Sequence, residues 1–185
     1  MRPVVGIIGN ASMINDTYPA QTTGTMNIDP VIEICGAISV MVPGIPENAT
    51  TDELIDICDG FIFTGGRPNV HPKFYGHQET LAHGIFDLNR DEVTLPLIKH
   101  CVEIGKPILG ICLGMQLLGL KSYEFEETKG LKLNNLTFRP FKNDINKIDF
   151  HIGFNEVRYP QKSKLFKNIP QNSDFYFLHG FYAKP

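Results

Sequence analysis

The strongest constraint on this fold is an alternation of short apolar runs with helical patterns over the first two-thirds of the chain. The apolar runs predict β-strands at residues 4–8, 38–42, 60–64 and 107–111, and the first three are followed directly by Gly or Pro. Between them, the spacing of apolar residues predicts helices at residues 29–36, 50–58 and 87–104. Strands that alternate with helices in this way are typical of a parallel sheet covered by helices on both faces. The sequence therefore predicts a doubly wound, mostly parallel α/β fold of the flavodoxin-like type.

The pattern of apolar and polar residues changes after about residue 120, where helical spacing is nearly absent. Alternating apolar and polar residues there predict strands at residues 131–141, 147–159 and 174–183. We expect a long loop at residues 11–27, which are polar and rich in Thr, Gly and Met. The length of 185 residues favours one domain, with an α/β core at residues 1–120 and a β-rich extension at residues 121–185.

The balance of charged residues argues against one class of partner, the nucleic acids. The chain has 17 Lys and Arg against 20 Asp and Glu, which gives no support for nucleic-acid binding. No apolar run approaches the roughly 18 residues of a membrane span, and the first residues do not form a signal sequence. We therefore expect a cytoplasmic protein with reduced thiols.

The cysteines give no metal signature. No Cys-x-x-Cys pair occurs and no His lies at zinc-ligand spacing from a Cys, so we expect no metal and no cofactor. Cys35, Cys58 and Cys101 are expected to be small buried hydrophobic residues.

Cys112 differs, because it is the centre of a Gly-x-Cys-x-Gly pentapeptide between a predicted strand and a predicted helix start. A strand-to-helix turn strains its central residue, and glycines on both sides remove the clash and expose the side chain. The helix start favours a thiolate, and the Leu113 N–H is placed to donate to an oxyanion. This context favours a nucleophile at the carboxyl end of a central strand over a cysteine between incidental turn glycines.

A second oxyanion donor is expected from the end of a neighbouring strand. Gly65 and Gly66 follow the strand at residues 60–64, and without Cβ atoms their N–H groups can approach a ligand closely. A plain Gly-Gly turn is the alternative. The loop lacks the spacing of a phosphate-binding motif.

These motifs resemble those of the class I glutamine amidotransferases and related γ-glutamyl hydrolases. Residues 1–112 resemble the γ-glutamyl-γ-aminobutyrate hydrolases, a peptidase C26-like branch, through Phe-Thr-Gly-Gly-Arg-Pro-Asn-Val-His-Pro and Gly-Lys-Pro-Ile-Leu-Gly-Ile-Cys. Residues 112–182 resemble the glutaminase subunit of imidazole glycerol phosphate synthase, through Cys-Leu-Gly-Met-Gln and His-Ile-Gly-Phe-Asn.

The resemblance implies a Cys-His-Glu triad, a γ-glutamyl thioester on Cys112, and release of ammonia or an amine. It also implies that Gln116 helps to hold the substrate and that Glu124 faces the substrate's α-amino group, a charge-assisted contact. The alternatives are an exposed helix residue for Gln116 and a solvated surface carboxylate for Glu124.

The sequence departs from the family at the base, because it contains no His-Pro-Glu. We therefore expect a chain truncated relative to the family, without the last strand, the base and its carboxylate. His71, His77 and His83 follow Gly66 and are the histidines expected nearest the site. His151 and His179 are expected to be structural, and His100 is expected on an outer helix.

Three functional readings remain open from the sequence. A stand-alone hydrolase would accept γ-glutamyl conjugates, whereas a synthase-coupled glutaminase would pass ammonia to a partner. The third is a catalytically incomplete pseudoenzyme, interaction subunit or gene fragment. The aromatic run at residues 175–182 also predicts a homodimer, formed by strand pairing or exchange.

Overall fold

The structure is a computed structural model that describes residues 1–124, 126–141 and 150–185. Its helices are α1 Thr25–Glu33, α2 Thr51–Ile57, α3 Leu88–Glu103 and α4 Leu113–Leu118. Its strands are β1 Val4–Ile8, β2 Asn10–Ile14, β3 Tyr18–Thr22, β4 Ile38–Val42, β5 Gly60–Phe63, β6 Ile108–Gly110, β7 Lys121–Ser122, β8 Thr128–Lys129, β9 Thr137–Pro140, β10 His151–Val157, β11 Ser173–His179 and β12 Phe181–Lys184.

A four-stranded parallel sheet forms the centre of the α/β core, with the strand order β4-β1-β5-β6. Its strands are the four apolar runs, which suit a sheet buried on both faces. The mostly parallel α/β fold is thereby confirmed. Among the described strands β6 lies at the edge of the sheet, so the expectation of a central strand before Cys112 is wrong.

Helices cover both faces of this sheet. Alternate residues of β1 point to opposite sides, and Ile7 packs with Val31 of α1 while Ile8 belongs to the larger cluster under α2 and α3. That larger cluster contains the buried residues Val42, Leu54, Ile55, Cys58, Phe61, Phe63, Val93, Leu97, Ile98 and Cys101. The apolar stripe of α3 supplies four of these side chains, so this helix fixes the position of the loops at its ends.

Two of the helices begin at side-chain caps. Thr50 and Glu53 form a reciprocal capping box at α2. Asp87 caps α3 by accepting from the Arg90 N–H at 3.1 Å. The helix begins at Leu88 and contains Pro96, close to the expected range of residues 87–104.

The loop expected at residues 11–27 is wrong. β2 and β3 form an antiparallel hairpin there, and its turn places Asn15 and Asp16 at φ 50° and 56°. Two consecutive residues with positive φ are the mark of a tight hairpin turn, which Asn and Asp tolerate. The following helix, α1, has Gly24 as its N-cap and begins at Thr25, four residues before the start expected from the sequence.

The extension is β-rich, as expected. β10 and β11 pair antiparallel over seven residues, and a second sheet has the order β12-β9-β7-β8. The run at residues 174–183 is two strands, β11 and β12, separated at Gly180. Part of the strand expected at residues 147–159 lies outside the described residues. None of the described helices is long and apolar enough to cross a membrane.

Candidate active site

Cys112 joins β6 to α4 with φ 55° and ψ −117°, a region that non-glycine residues rarely occupy, and its side chain is exposed. The glycines of the pentapeptide are required by close packing. A Cβ on Gly110 would lie 2.7 Å from the Gly114 carbonyl oxygen, and one on Gly114 would overlap the Phe63 carbonyl oxygen. The strained turn is therefore held by its neighbours on β5 and α4.

Gly65 lies directly against the sulfur. A Cβ built on Gly65 would be 2.8 Å from the Cys112 Cβ and 2.9 Å from its Sγ, with the Leu113 nitrogen at 3.7 Å. The strand end after β5 and the start of α4 thus meet at the thiol, as the sequence predicted. Gly66 faces elsewhere, because its Cβ would meet Asn10 Oδ1 at 2.7 Å and Arg90 Nη1 at 2.8 Å.

The sequence analysis gave no role to Arg90, a buried cation beside this loop. Its guanidinium donates to Asn10 Oδ1 at 2.5 Å and is 3.4 Å from the Thr64 carbonyl oxygen. Burial lowers the pKa of Arg90, while the negative charges of Asp91, Asp87 and the Cys112 thiolate oppose that effect. Arg90 therefore holds the end of β5 in place beside the Cys112 turn.

Asp91, the next residue of α3, is also buried. Its Oδ2 accepts from the His71 N–H at 2.8 Å, which ties the loop after β5 to the helix. Burial is the main cause that raises the pKa of Asp91 from 3.8 to about 6, and the hydrogen bond from His71 opposes it. The sequence offered a signal, since Arg90 and Asp91 are charged residues in the first turn of a helix that packs against the core.

A cavity of about 90 Å³ opens beside the start of α4. Leu113, Gln116, Ser122 and Glu124 line it, together with Asn69, Val70, Tyr75, His83, Leu117, Thr128, Lys129 and Gly130. Gln116 and Glu124 hydrogen-bond to each other, and burial raises the pKa of Glu124 against that bond. The structure thus brings both predicted substrate residues to one cavity, and Glu124 is not a solvated surface carboxylate.

Ser122 adds a group that sequence reasoning missed. Its Oγ is buried at the cavity and has no hydrogen-bond partner among the described residues. A buried hydroxyl without a partner costs about 1–3 kcal/mol, which a polar ligand in the cavity would recover.

Five of the histidines pair with groups other than the Cys112 thiol. His71 and His77 face Glu79 and Glu126, and His100 lies between Asp52 and Glu103. His151 and His179 contact each other at 3.1 Å on the extension. His83 lines the cavity with Gln116 and Glu124.

Comparison with known proteins decides the family. A family model for peptidase C26 matches residues 3–122, well over half of the chain. The chain belongs to the peptidase C26 family. The family match and the curated relatives together place the chain in the class I glutamine amidotransferase-like superfamily. This confirms the resemblance seen in the motifs.

These relatives are named imidazole glycerol phosphate synthase subunit HisH, and two of them show the extent of the match. The protein from Moorella thermoacetica is 42% identical over 88 residues, which are 48% of this chain and 41% of the relative. The protein from Salmonella typhimurium is 42% identical over 111 residues, covering 56% of this chain and 50% of the relative. The peptidase C26 chain thus aligns with about half the length of these relatives.

A solved structure shows the same fold. A crystal structure described as a GMP synthase subunit from Thermoplasma acidophilum superposes with a TM-score of 0.55 and 17% identity. The superposition covers 99% of this chain and 67% of that protein. At this identity the match supports the fold of the peptidase C26 chain and nothing about its substrate.

Proposed function

We propose that this chain is a γ-glutamyl amide hydrolase domain with Cys112 as the nucleophile. The Sγ attacks the γ-carbonyl carbon, a thioester forms, and the C–N bond breaks as the amide nitrogen leaves with a proton as ammonia or an amine. Water then adds to the thioester carbon, which releases glutamate and restores the thiol. The observation that carries this proposal is the strained Cys112 turn packed against Gly65.

Backbone N–H groups at this turn provide the oxyanion site in the proposal. The Leu113 N–H is the first of α4 and has no intrahelical acceptor. Gly65, which packs against the sulfur, supplies the second donor, and the missing Cβ of Gly66 leaves room for Asn10 and Arg90 beside the same loop. Donors fixed before the reaction stabilise the tetrahedral intermediate without reorganisation.

Gln116 and Glu124 hold the amino-acid end of the substrate in this proposal. They share one cavity with Leu113, so a substrate held there lies beside the start of α4. Glu124→Gln keeps the size and the contact with Gln116 but removes the negative charge. We expect Glu124→Gln to raise KM for glutamine by about tenfold or more, the loss of one charge-assisted contact. An unchanged KM would remove Glu124 from the site.

Two substrate classes fit the chain, and each has its own support. Membership of the peptidase C26 family favours a stand-alone hydrolase of γ-glutamyl conjugates. The HisH relatives are each named as part of a synthase, which favours glutamine and an ammonia-accepting synthase partner. Comparing ammonia release from glutamine with amine release from γ-glutamyl amines, with Cys112→Ala as the control, separates the two classes.

A catalytically incomplete domain is the second candidate function. It is favoured by five histidines that pair with groups other than the Cys112 thiol. Loss of a triad base costs on the order of 10⁴ or more in rate, so this candidate predicts very slow turnover with a reactive thiol. Turnover near 10 s⁻¹, about the median for enzymes, would exclude it.

We also propose a homodimer in the cytoplasm. Ile152, Phe154, Tyr176 and Leu178 lie on one face of the β10–β11 pair and are all between 58% and 72% exposed. Pairing two such faces would bury this apolar surface. Sedimentation at micromolar concentration should show more than the 20.7 kDa monomer, and a monomer alone would rule the dimer out.

A further inference from the structure

Three side chains from distant parts of the chain meet beside the cavity. One ligand atom each of His77, His83 and Glu126 lies within 4.8 Å of the other two. His77 Nδ1 is 2.9 Å from Glu126 Oε1, and His83 Nε2 is 3.8 Å from the same oxygen. Two imidazole nitrogens thus converge on one carboxylate oxygen.

The cluster joins two segments that the sheet does not hold together. His77 and His83 belong to the loop between β5 and α3, whereas Glu126 lies between β7 and β8. His83 also lines the cavity with Gln116 and Glu124. Whatever binds at the cluster therefore fixes one wall of the cavity.

We propose that His77, His83 and Glu126 bind a divalent transition-metal ion, with zinc as the best fit. Two imidazoles and one carboxylate are a recurrent zinc donor set, which leaves a fourth position for water. Ligand-to-metal distances of about 2.0–2.2 Å place neighbouring ligand atoms roughly 3–4 Å apart, close to the separations here. Magnesium and calcium prefer all-oxygen sites, so imidazoles select against them.

Neighbouring groups already orient both imidazoles. Thr80 Oγ1 lies 2.8 Å from His83 Nδ1, so it can accept a hydrogen bond from an Nδ1–H and leave Nε2 to the metal. The Tyr75 ring packs edge-on against His77, with centroids 5.1 Å apart. The Thr80 backbone N–H donates to His83 Nδ1 at 3.1 Å. Metal binding at Nε2 places the ring proton on Nδ1, which then donates to Thr80 Oγ1 instead.

The metal acts as a clamp on the cavity wall in this account and takes no part in the reaction at Cys112. The expectation of no metal rested on the spacing of cysteines, and these ligands are not cysteines. The inference is independent of the proposed function, because it is tested by binding alone.

The experiment is a zinc titration of the chelator-treated chain in competition with a chromophoric zinc chelator. We expect one zinc ion per chain, and we expect His77→Ala and Glu126→Gln each to weaken binding at least tenfold. His100→Ala is the matched control, because His100 also lies within 4 Å of two carboxylates but through different ring nitrogens. It should bind zinc like the wild type.

Cobalt substitution separates this site from the exposed thiols of Cys35 and Cys112. Cobalt at His77, His83 and Glu126 should give visible d–d bands without the intense thiolate charge-transfer band. A thiolate band, an equal loss in His100→Ala, or no stoichiometric binding would each overturn the proposal. Glu126→Gln is close to isosteric, so its result stands even where His77→Ala fails to fold.

Discussion

Adding a methyl group at Gly65 tests the packing of this residue against Cys112 in the proposed site. In Gly65→Ala the new Cβ would sit 2.8 Å from the Cys112 Cβ and 2.9 Å from its Sγ. Carbon atoms in good contact are about 3.5–4.0 Å apart, so the two segments must separate by about 0.7 Å or more. Rotation of the sulfur does not relieve the clash, because the Cys112 Cβ is itself one of the atoms in contact.

The cost follows from the rigidity of the surrounding turn. Overpacking a well-packed site typically costs about 1–3 kcal/mol, so we expect the free energy of unfolding to fall by that amount. The displaced turn also blocks the face of the sulfur that meets Gly65. We expect the rate of Cys112 alkylation by iodoacetamide to fall at least tenfold, which corresponds to about 1.4 kcal/mol of barrier.

The assay is peptide-resolved mass spectrometry of alkylation over time, with urea unfolding measured in parallel. Gly24→Ala is the control, because its Cβ would meet nothing closer than 3.5 Å. It should leave the Cys112 rate unchanged, at a cost of about 1 kcal/mol or less at the cap of α1. A Gly65→Ala chain with wild-type stability and a wild-type Cys112 rate would refute the packing described here.

Three further predictions concern the groups around the thiol. The folded chain raises the Asp91 pKa from 3.8 to about 6 and so binds this proton more tightly than the unfolded chain. The free energy of unfolding should therefore fall by up to about 3 kcal/mol as pH rises from 4 to 6, and Asp91→Asn should flatten that slope in urea unfolding. Cys112 should be alkylated faster than Cys35, which is also exposed, and equal rates at these two thiols would contradict this. Cys58 and Cys101 should react slowest, because burial raises the pKa of both thiols, that of Cys101 to about 11. Arg90→Met should destabilise the fold by about 3 kcal/mol in the same urea assay, because it leaves Asp87 and Asp91 without their buried counter-charge, and an unaffected midpoint would count against that role.

The sequence predicted the parallel core well because local pattern and tertiary environment agree there. Each strand of the parallel sheet is a short apolar run, three of the runs are followed by Gly or Pro, and the capping Thr50 and Asp87 mark helix starts. The hairpin at β2 and β3 was missed because its residues are polar and its turn signal, Asn15-Asp16, is weaker than Asn-Gly.

Some residues of the candidate site could be predicted from the sequence and others could not. Cys112 and Gly65 could be predicted, because the spacing of the glycines indicates where two backbone segments must approach closely. Arg90, Ser122 and the cluster of His77, His83 and Glu126 were not, since the residues that they contact or share a cavity with are far apart in the sequence. Only the fold brings such groups together, and no local periodicity marks them.

The most direct test of the central claim is labelling with a chloroketone analogue of glutamine, followed by peptide mass spectrometry. If Cys112 is the nucleophile of a γ-glutamyl site, it is the cysteine labelled first. Excess L-glutamine then slows the labelling, while D-glutamine does not. Labelling of Cys35 at the same rate, or labelling of Cys112 that L-glutamine leaves unchanged, would contradict the account.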